Sequence, residues 1–133
     1  MRKLAIRAIL ATALAVICMS DWSFASAAKG DPKNGKAKYM ENMRCSACHG
    51  ETGKGDGPAA VALNPKPRNY TDCNEMGKRS DADLFKVIKE GGPAVKLSPL
   101  MIAFGAQLND KEIWDIVAFI RSIPNPPCKV TAK

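Results

Sequence analysis

The sequence predicts an all-α domain in which three helices are joined by long loops. Three separate segments carry helix start and stop signals around apolar positions. No stretch reads as a strand of more than three or four residues. The two longest connections, residues 50–74 and 91–108, are irregular, and the first of them is especially dense in glycine and proline.

Taken in order, the chain opens with an export segment. Arg2, Lys3 and Arg7 form a basic start, residues 8–19 an apolar run, and Ala25-Ser26-Ala27 a small-residue cleavage pattern. A membrane-spanning helix needs about 20 apolar residues, and this run is shorter and ends in Ser20-Asp21. Ile17 precedes Cys18 where a lipid-attachment site favours a small residue. Residues 1–27 are therefore expected to be a cleaved secretory signal peptide, and residues 28–133 a single exported, periplasmic domain. The first helix is expected over residues 31–43, with Asp31 as cap and Pro32 at the first helical position. The second is expected over residues 81–90. Ser80 caps it, Leu84, Phe85 and Ile88 form its apolar face, and Gly91-Gly92 stops it. The third is expected over residues 110–123. Asn109 and Glu112 read as a capping box, and Ile113, Ile116, Val117 and Ile120 form a stripe of helical period before Pro124.

The charge balance narrows the partners. The whole chain carries a formal net charge of +7. Loss of the export segment removes Arg2, Lys3, Arg7 and Asp21 and leaves the mature domain at +5. No basic block is interleaved with aromatic residues, so nucleic acid is not an expected partner. A moderately basic surface suits acidic faces on other proteins, with Lys54, Lys66, Lys96 and Lys111 as candidate guides. No further stretch is long and apolar enough to span a membrane, so the mature chain is expected to be soluble and monomeric.

The chemistry concentrates in Cys45-Ser46-Ala47-Cys48-His49. Cys-x-x-Cys-His is the attachment motif of c-type haem: two thiols add across the vinyl groups, and the adjacent imidazole becomes an axial ligand. A thioredoxin-type dithiol would call for a βαβ surround, which the chain lacks. A zinc site would call for a second close pair of ligands, whereas Cys73 and Cys128 lie far apart. One covalently attached haem c is the expected cofactor, and packing against it explains long loops in so small a domain. In an exported compartment Cys73 and Cys128 most simply pair with each other, the alternative being two thiols.

His49 is the only histidine, so the chain offers no second imidazole and the opposite axial position falls to a thioether. Met40 and Met43 precede the motif on the helix that enters it. Met76 lies in a polar segment and is a second candidate. Met101, in an apolar loop before the third helix, is the favoured ligand.

These residues together resemble the class I c-type cytochromes, small monohaem electron carriers, over residues 29–123. Ser98-Pro99-Leu100-Met101 through Phe104-Gly105, then Gln107-Leu108 and residues 113–121, are similar to the family's methionine loop and C-terminal helix. The resemblance implies a cytochrome c fold of three or more helices, with loops wrapped around one haem. It implies that the first and last helices cross, through Gly35 and Tyr39 on one and Ile116 and Phe119 on the other. It implies His49/Met101 ligation, with the Pro58 carbonyl accepting the second N–H of the imidazole. Arg68 and Tyr70 are candidates to meet a haem propionate.

Two features depart from the family pattern. Ile102 follows the methionine where many relatives carry proline, and Cys73 and Cys128 are not general family residues. The function implied is one-electron transfer between redox partners, at a potential raised by methionine ligation, without catalysis. Ile102 gives a foothold to a haem-based sensor or weak peroxidase with a labile methionine. A cytochrome subunit bound within a larger oxidoreductase would use the same residues.

Overall fold

The computed structural model describes residues 30–41 and 45–132. The export segment 1–27, its Cys18 and Met43 lie outside these residues. Among the described residues five helices follow one another: α1 (Pro32–Met40), α2 (Ser46–His49), α3 (Cys73–Met76), α4 (Asp81–Glu90) and α5 (Asp110–Ser122). Single 3-10 turns at Pro58–Ala62 and Gly92–Val95 punctuate the loops, and there is no strand among the described residues.

The helix signals act locally as their chemistry dictates. The Asp31 carboxylate accepts from the Lys33 amide at 2.8 Å, with Pro32 at the first position. α1 ends at Met40, earlier than the 31–43 expected. At α4, Asp83 N–H donates to Ser80 Oγ at 3.1 Å and Ser80 N–H to the Asp83 carboxylate at 2.9 Å. At α5, Asn109 and Glu112 exchange the same pair of bonds at 3.0 Å each. Each box satisfies two amides that the helix itself leaves unpaired.

The core centres on the crossing of α1 and α5. A Cβ on Gly35 would overlap the Asp115 carbonyl, so only glycine lets the two backbones approach this closely. Tyr39, fully buried, meets the edge of Phe119 with ring centroids 5.1 Å apart. Asp115 is buried at the same crossing and accepts from the Asp31 amide and the Lys111 ammonium, both at 2.8 Å. Its burial pushes the carboxyl up, but those bonds outweigh it and leave the group below the ordinary carboxylate range. The N-terminus of one helix is thus tied to the middle of the other by a charged acceptor.

The other end of the molecule is held by ties between distant segments. Cys73 Sγ and Cys128 Sγ are 1.98 Å apart, which joins α3 to the C-terminal tail. Thr131 N–H donates to the Gly77 carbonyl at 2.7 Å beside this link. Arg121, on α5, donates to the Asp81 carboxylate at 2.7 Å, to the Met76 carbonyl at 3.0 Å and to the Arg79 carbonyl. Among the described residues no helix is long and apolar enough to cross a membrane.

Candidate functional site

The attachment motif folds as a single helical turn. Cys45 stands at the start of α2, and its amide donates to the Tyr39 carbonyl at 3.3 Å. The three-residue spacing sets Cys45 and Cys48 on one face of that turn. Gly50, at φ +76°, ends the turn in a conformation that L side chains rarely adopt. The chain then doubles back. Gly55 N–H donates to the His49 carbonyl at 2.8 Å and Gly57 N–H to the Cys48 carbonyl at 3.2 Å, so the last carbonyls of α2 are satisfied by the glycine-rich loop. Tyr39 Oη donates to the Gly50 carbonyl at 2.7 Å and ties the turn to the α1/α5 crossing.

His49 is buried, and its Nδ1 lies 3.1 Å from the Arg68 carbonyl. A carbonyl oxygen only accepts, so Nδ1 carries the proton and Nε2 keeps its lone pair. Burial lowers the imidazole below its ordinary value, while the bond to Arg68 opposes that shift. A neutral imidazole is the form that binds a metal. The acceptor expected at Pro58 is therefore found at Arg68. Pro58 instead opens the 3-10 turn Pro58–Ala62, while Tyr70 N–H, bonded to the Gly53 carbonyl at 2.7 Å, draws the 67–70 segment over the imidazole.

The side chains of Arg68 and Tyr70 have partners within the chain. The Arg68 guanidinium pairs with Glu75 of α3 at 3.1 Å. Tyr70 is buried and stacks on the His49 ring, centroids 4.7 Å apart and planes at 15°. Its ring thus packs against the His49 imidazole, and its burial holds the phenol well above its ordinary value.

A cavity of about 490 Å³ lies against this turn. Cys45, Cys48 and His49 contribute to its lining, as do Arg68 and Tyr70, the apolar Leu84, Ile88 and Ile120, and Met101. Met76 and Met40 are not part of that lining; Met76 is buried in the core. The Met101 loop is anchored on α4. Phe104 N–H and Gly105 N–H donate to the Ile88 and Lys89 carbonyls, each at 2.9 Å. Met101 N–H donates to the Ser98 carbonyl at 3.2 Å, and the Met101 carbonyl accepts from Gly92 at 2.8 Å. Both backbone groups of Met101 are thus fixed although Ile102 replaces the usual proline.

The donor set fits a covalently bound haem. Two thiols at attachment spacing, an imidazole with its outer nitrogen tied down and a thioether line one largely apolar cavity. That cavity falls within the range of about 300–1,000 Å³ typical of ligand pockets. No cluster of three or more His, Cys, Asp or Glu among the described residues is placed to hold a metal ion.

A family model described as Cytochrome c matches residues 32–124. The chain belongs to the cytochrome c family. Membership implies a covalently bound haem c, and cytochrome c domains serve as electron carriers or as cytochrome subunits of oxidoreductases. The gluconate 2-dehydrogenase cytochrome c subunit of Pantoea cypripedii is 33% identical over 96 residues, which cover 68% of this chain and 20% of that subunit. This cytochrome c chain thus spans about a fifth of the length of that curated relative. Among solved structures, it is similar to the Kuenenia stuttgartiensis reducing HAO-like protein complex Kustc0457/Kustc0458. There the identity is 28% and the TM-score 0.57, over 73% of this chain and 44% of the other. The KustC0563 c-type cytochrome is 26% identical with a TM-score of 0.52, over 68% of this chain and 96% of the other.

Sequence reasoning did not single out Glu75, Arg79 or Asp115 as functional or structural anchors. Glu75 and Arg68 have no periodic relation, so only the folded chain shows that they pair. The four lysines considered as docking guides, Lys54, Lys66, Lys96 and Lys111, are all exposed. Two of them also have partners within the chain: Lys66 donates to the Ala60 and Val61 carbonyls at 2.7 and 3.0 Å, and Lys111 pairs with Asp115.

Proposed function

We propose that the mature chain is a soluble, periplasmic monohaem cytochrome c that carries single electrons between redox partner proteins, with His49 and Met101 as axial ligands. The observation that carries this reading is the shared cavity, where the attachment turn and the anchored methionine loop both contribute to one lining. Cys45 and Cys48 would hold the haem through thioethers, and His49 would offer Nε2 while the Arg68 carbonyl keeps its ring oriented. Bound there, the haem supplies an iron that alternates between ferrous and ferric states. Held by both His49 and Met101, the group would leave no position open to a substrate, and the role would be transport of an electron rather than catalysis. The link between Cys73 and Cys128 suits an oxidising, exported compartment, and the basic mature surface suits partners with acidic docking faces.

Protein matured with haem tests the ligand set. Ferric protein at neutral pH is expected to show the weak near-infrared band of iron–methionine sulfur bonding, and Met101→Ala to lose it. A wild-type spectrum without that band, together with binding of added ligands to the resting protein, would favour the sensor or peroxidase reading instead.

A second reading is supported by the relatives, which include a cytochrome c subunit of a dehydrogenase and a chain of a multi-protein complex. On that reading the same haem site works within a permanent assembly. Gentle extraction from the native source separates the two: a shuttle elutes as a free monomer, and a subunit co-elutes with its oxidoreductase.

A further inference from the structure

The bond from His49 Nδ1–H to the Arg68 carbonyl holds one edge of the imidazole. A carbonyl oxygen accepts over a broad range of directions, so this bond alone leaves the plane of the ring free to tilt. The face of the ring is held by a different contact. Tyr70, two residues beyond Arg68, lies on the imidazole with centroids 4.7 Å apart and planes at 15°. That separation is within the range of about 4.5–7 Å at which aromatic pairs attract.

Tyr70 is itself fixed from several directions. Its amide donates to the Gly53 carbonyl at 2.7 Å. On either side of it in the chain, Asn69 Oδ1 accepts from the Thr71 amide at 2.9 Å and from the Thr71 hydroxyl at 2.7 Å. A short polar side chain bonded to the backbone two residues on locks the turn between them, and Tyr70 is the residue enclosed. Its ring is buried, and it passes so close to Gly53 that a Cβ there would lie 3.1 Å from it. A ring packed in this way has no room to turn aside.

From this geometry we infer that Tyr70 is a positioning residue for His49, its flat ring setting the plane of the imidazole that faces the cavity. The inference rests on the proposed haem site. Edge and face are divided between two neighbours in one segment: the Arg68 carbonyl selects which nitrogen carries the proton, and the Tyr70 ring stops the tilt. Groups behind a ligand that lock its orientation also set its strength as a ligand. The property required of residue 70 is a flat aromatic face, and the hydroxyl is dispensable.

The test uses ferric protein matured with haem and labelled with 15N in histidine. His49 is the only histidine, so its ring nitrogens are assigned without ambiguity. Their paramagnetic shifts depend on the plane of the imidazole relative to the haem. Tyr70→Phe keeps the face and is expected to leave these resonances close to wild type. Tyr70→Leu fills the site without a face and is expected to move them. Unmoved resonances in Tyr70→Leu, even with a lowered Tm, reduce Tyr70 to core packing and overturn the assignment. Resonances that move as far in Tyr70→Phe as in Tyr70→Leu trace the effect to the hydroxyl and overturn it as well. Where Tyr70→Leu fails to mature, pentafluorophenylalanine at position 70 decides alone. It keeps the shape of phenylalanine but makes the face electron-poor, which opposes the positive character that an imidazole gains on ferric iron. Its midpoint potential is expected to lie above that of Tyr70→Phe, and equal potentials overturn the assignment. A wild-type chain that takes up no covalent haem overturns the proposed function and this inference together, so the two failures are distinguishable.

Discussion

The α1/α5 crossing and the walls of the cavity are secured by opposite means. At the crossing, two regular helices approach through Gly35, bury Tyr39, Ile113 and Ile116, and share the charged acceptor Asp115. The cavity walls are mostly loops and single turns. They are positioned by backbone bonds such as Phe104 to Ile88, by Arg121, and by the link between Cys73 and Cys128. The first region is stable because of what it buries. The second depends on point attachments to the first, and its apolar faces surround a cavity. A fold of this kind separates the part that must be rigid without cofactor from the part that closes around it.

The comparison is tested most strongly at the long-range tie. Joining residues 55 apart in sequence stabilises the native chain by about 4 kcal/mol through the entropy of the unfolded state. Cys73→Ser with Cys128→Ser is expected to approach that loss in urea denaturation. Hydrogen exchange should quicken first in α3, the tail and the Met101 loop, while α1 and α5 stay protected. Equal loss of protection in the crossing would show that the two regions are one cooperative unit.

Gly35→Ala attacks the other side. Its Cβ meets fixed backbone rather than a movable side chain, so a cost of about 3 kcal/mol is expected, at the upper end for overpacking. Calorimetry should show a lowered Tm, and haem attachment should fail only as far as the fold does.

Asp115→Ala is expected to cost about 2 kcal/mol, the worth of hydrogen bonds to a charged group. The folded-state carboxyl lies below its ordinary value. Its contribution is therefore fully present above the ordinary carboxylate range and is lost as pH falls through the lower, folded value. Stability of Asp115→Asn should consequently fall less on the acid side than that of the wild type. A parallel acid limb would assign the acid sensitivity elsewhere.

The smallest effect is expected at Lys89, which pairs with Asp110 at 2.7 Å on the surface. Lys89→Ala should cost under about 1 kcal/mol and move neither exchange pattern nor haem spectrum.

The two regions also differed in how far they could be read from the chain. α4 runs over residues 81–90 as expected and α5 ends one residue short, because capping boxes and a repeating apolar face are properties of neighbouring residues. α2 and α3 were not anticipated: a four-residue turn has no period, and the last carbonyls are met by the Gly55 and Gly57 amides in α2 and by Arg121 in α3. The attachment motif and Met101 could be named as candidates from residue type and number. The acceptor for His49 could not, because a backbone carbonyl has no identity in a sequence and any loop residue can supply one. Asp115 sits in a helix of otherwise ordinary pattern. Only the crossing shows that its carboxylate faces inward, toward the start of α1.

Tyr39 joins the two regions at one point. Its ring is set in the crossing, and its hydroxyl grips Gly50, the residue that follows His49. In the proposed carrier, the speed of an electron's arrival or departure depends on how far nearby atoms must resettle when the charge changes. An imidazole whose supporting turn is bolted through Tyr39 to the most deeply buried helices has little room to resettle. The phenol would then serve as a damper, keeping the reorganisation energy of the centre low.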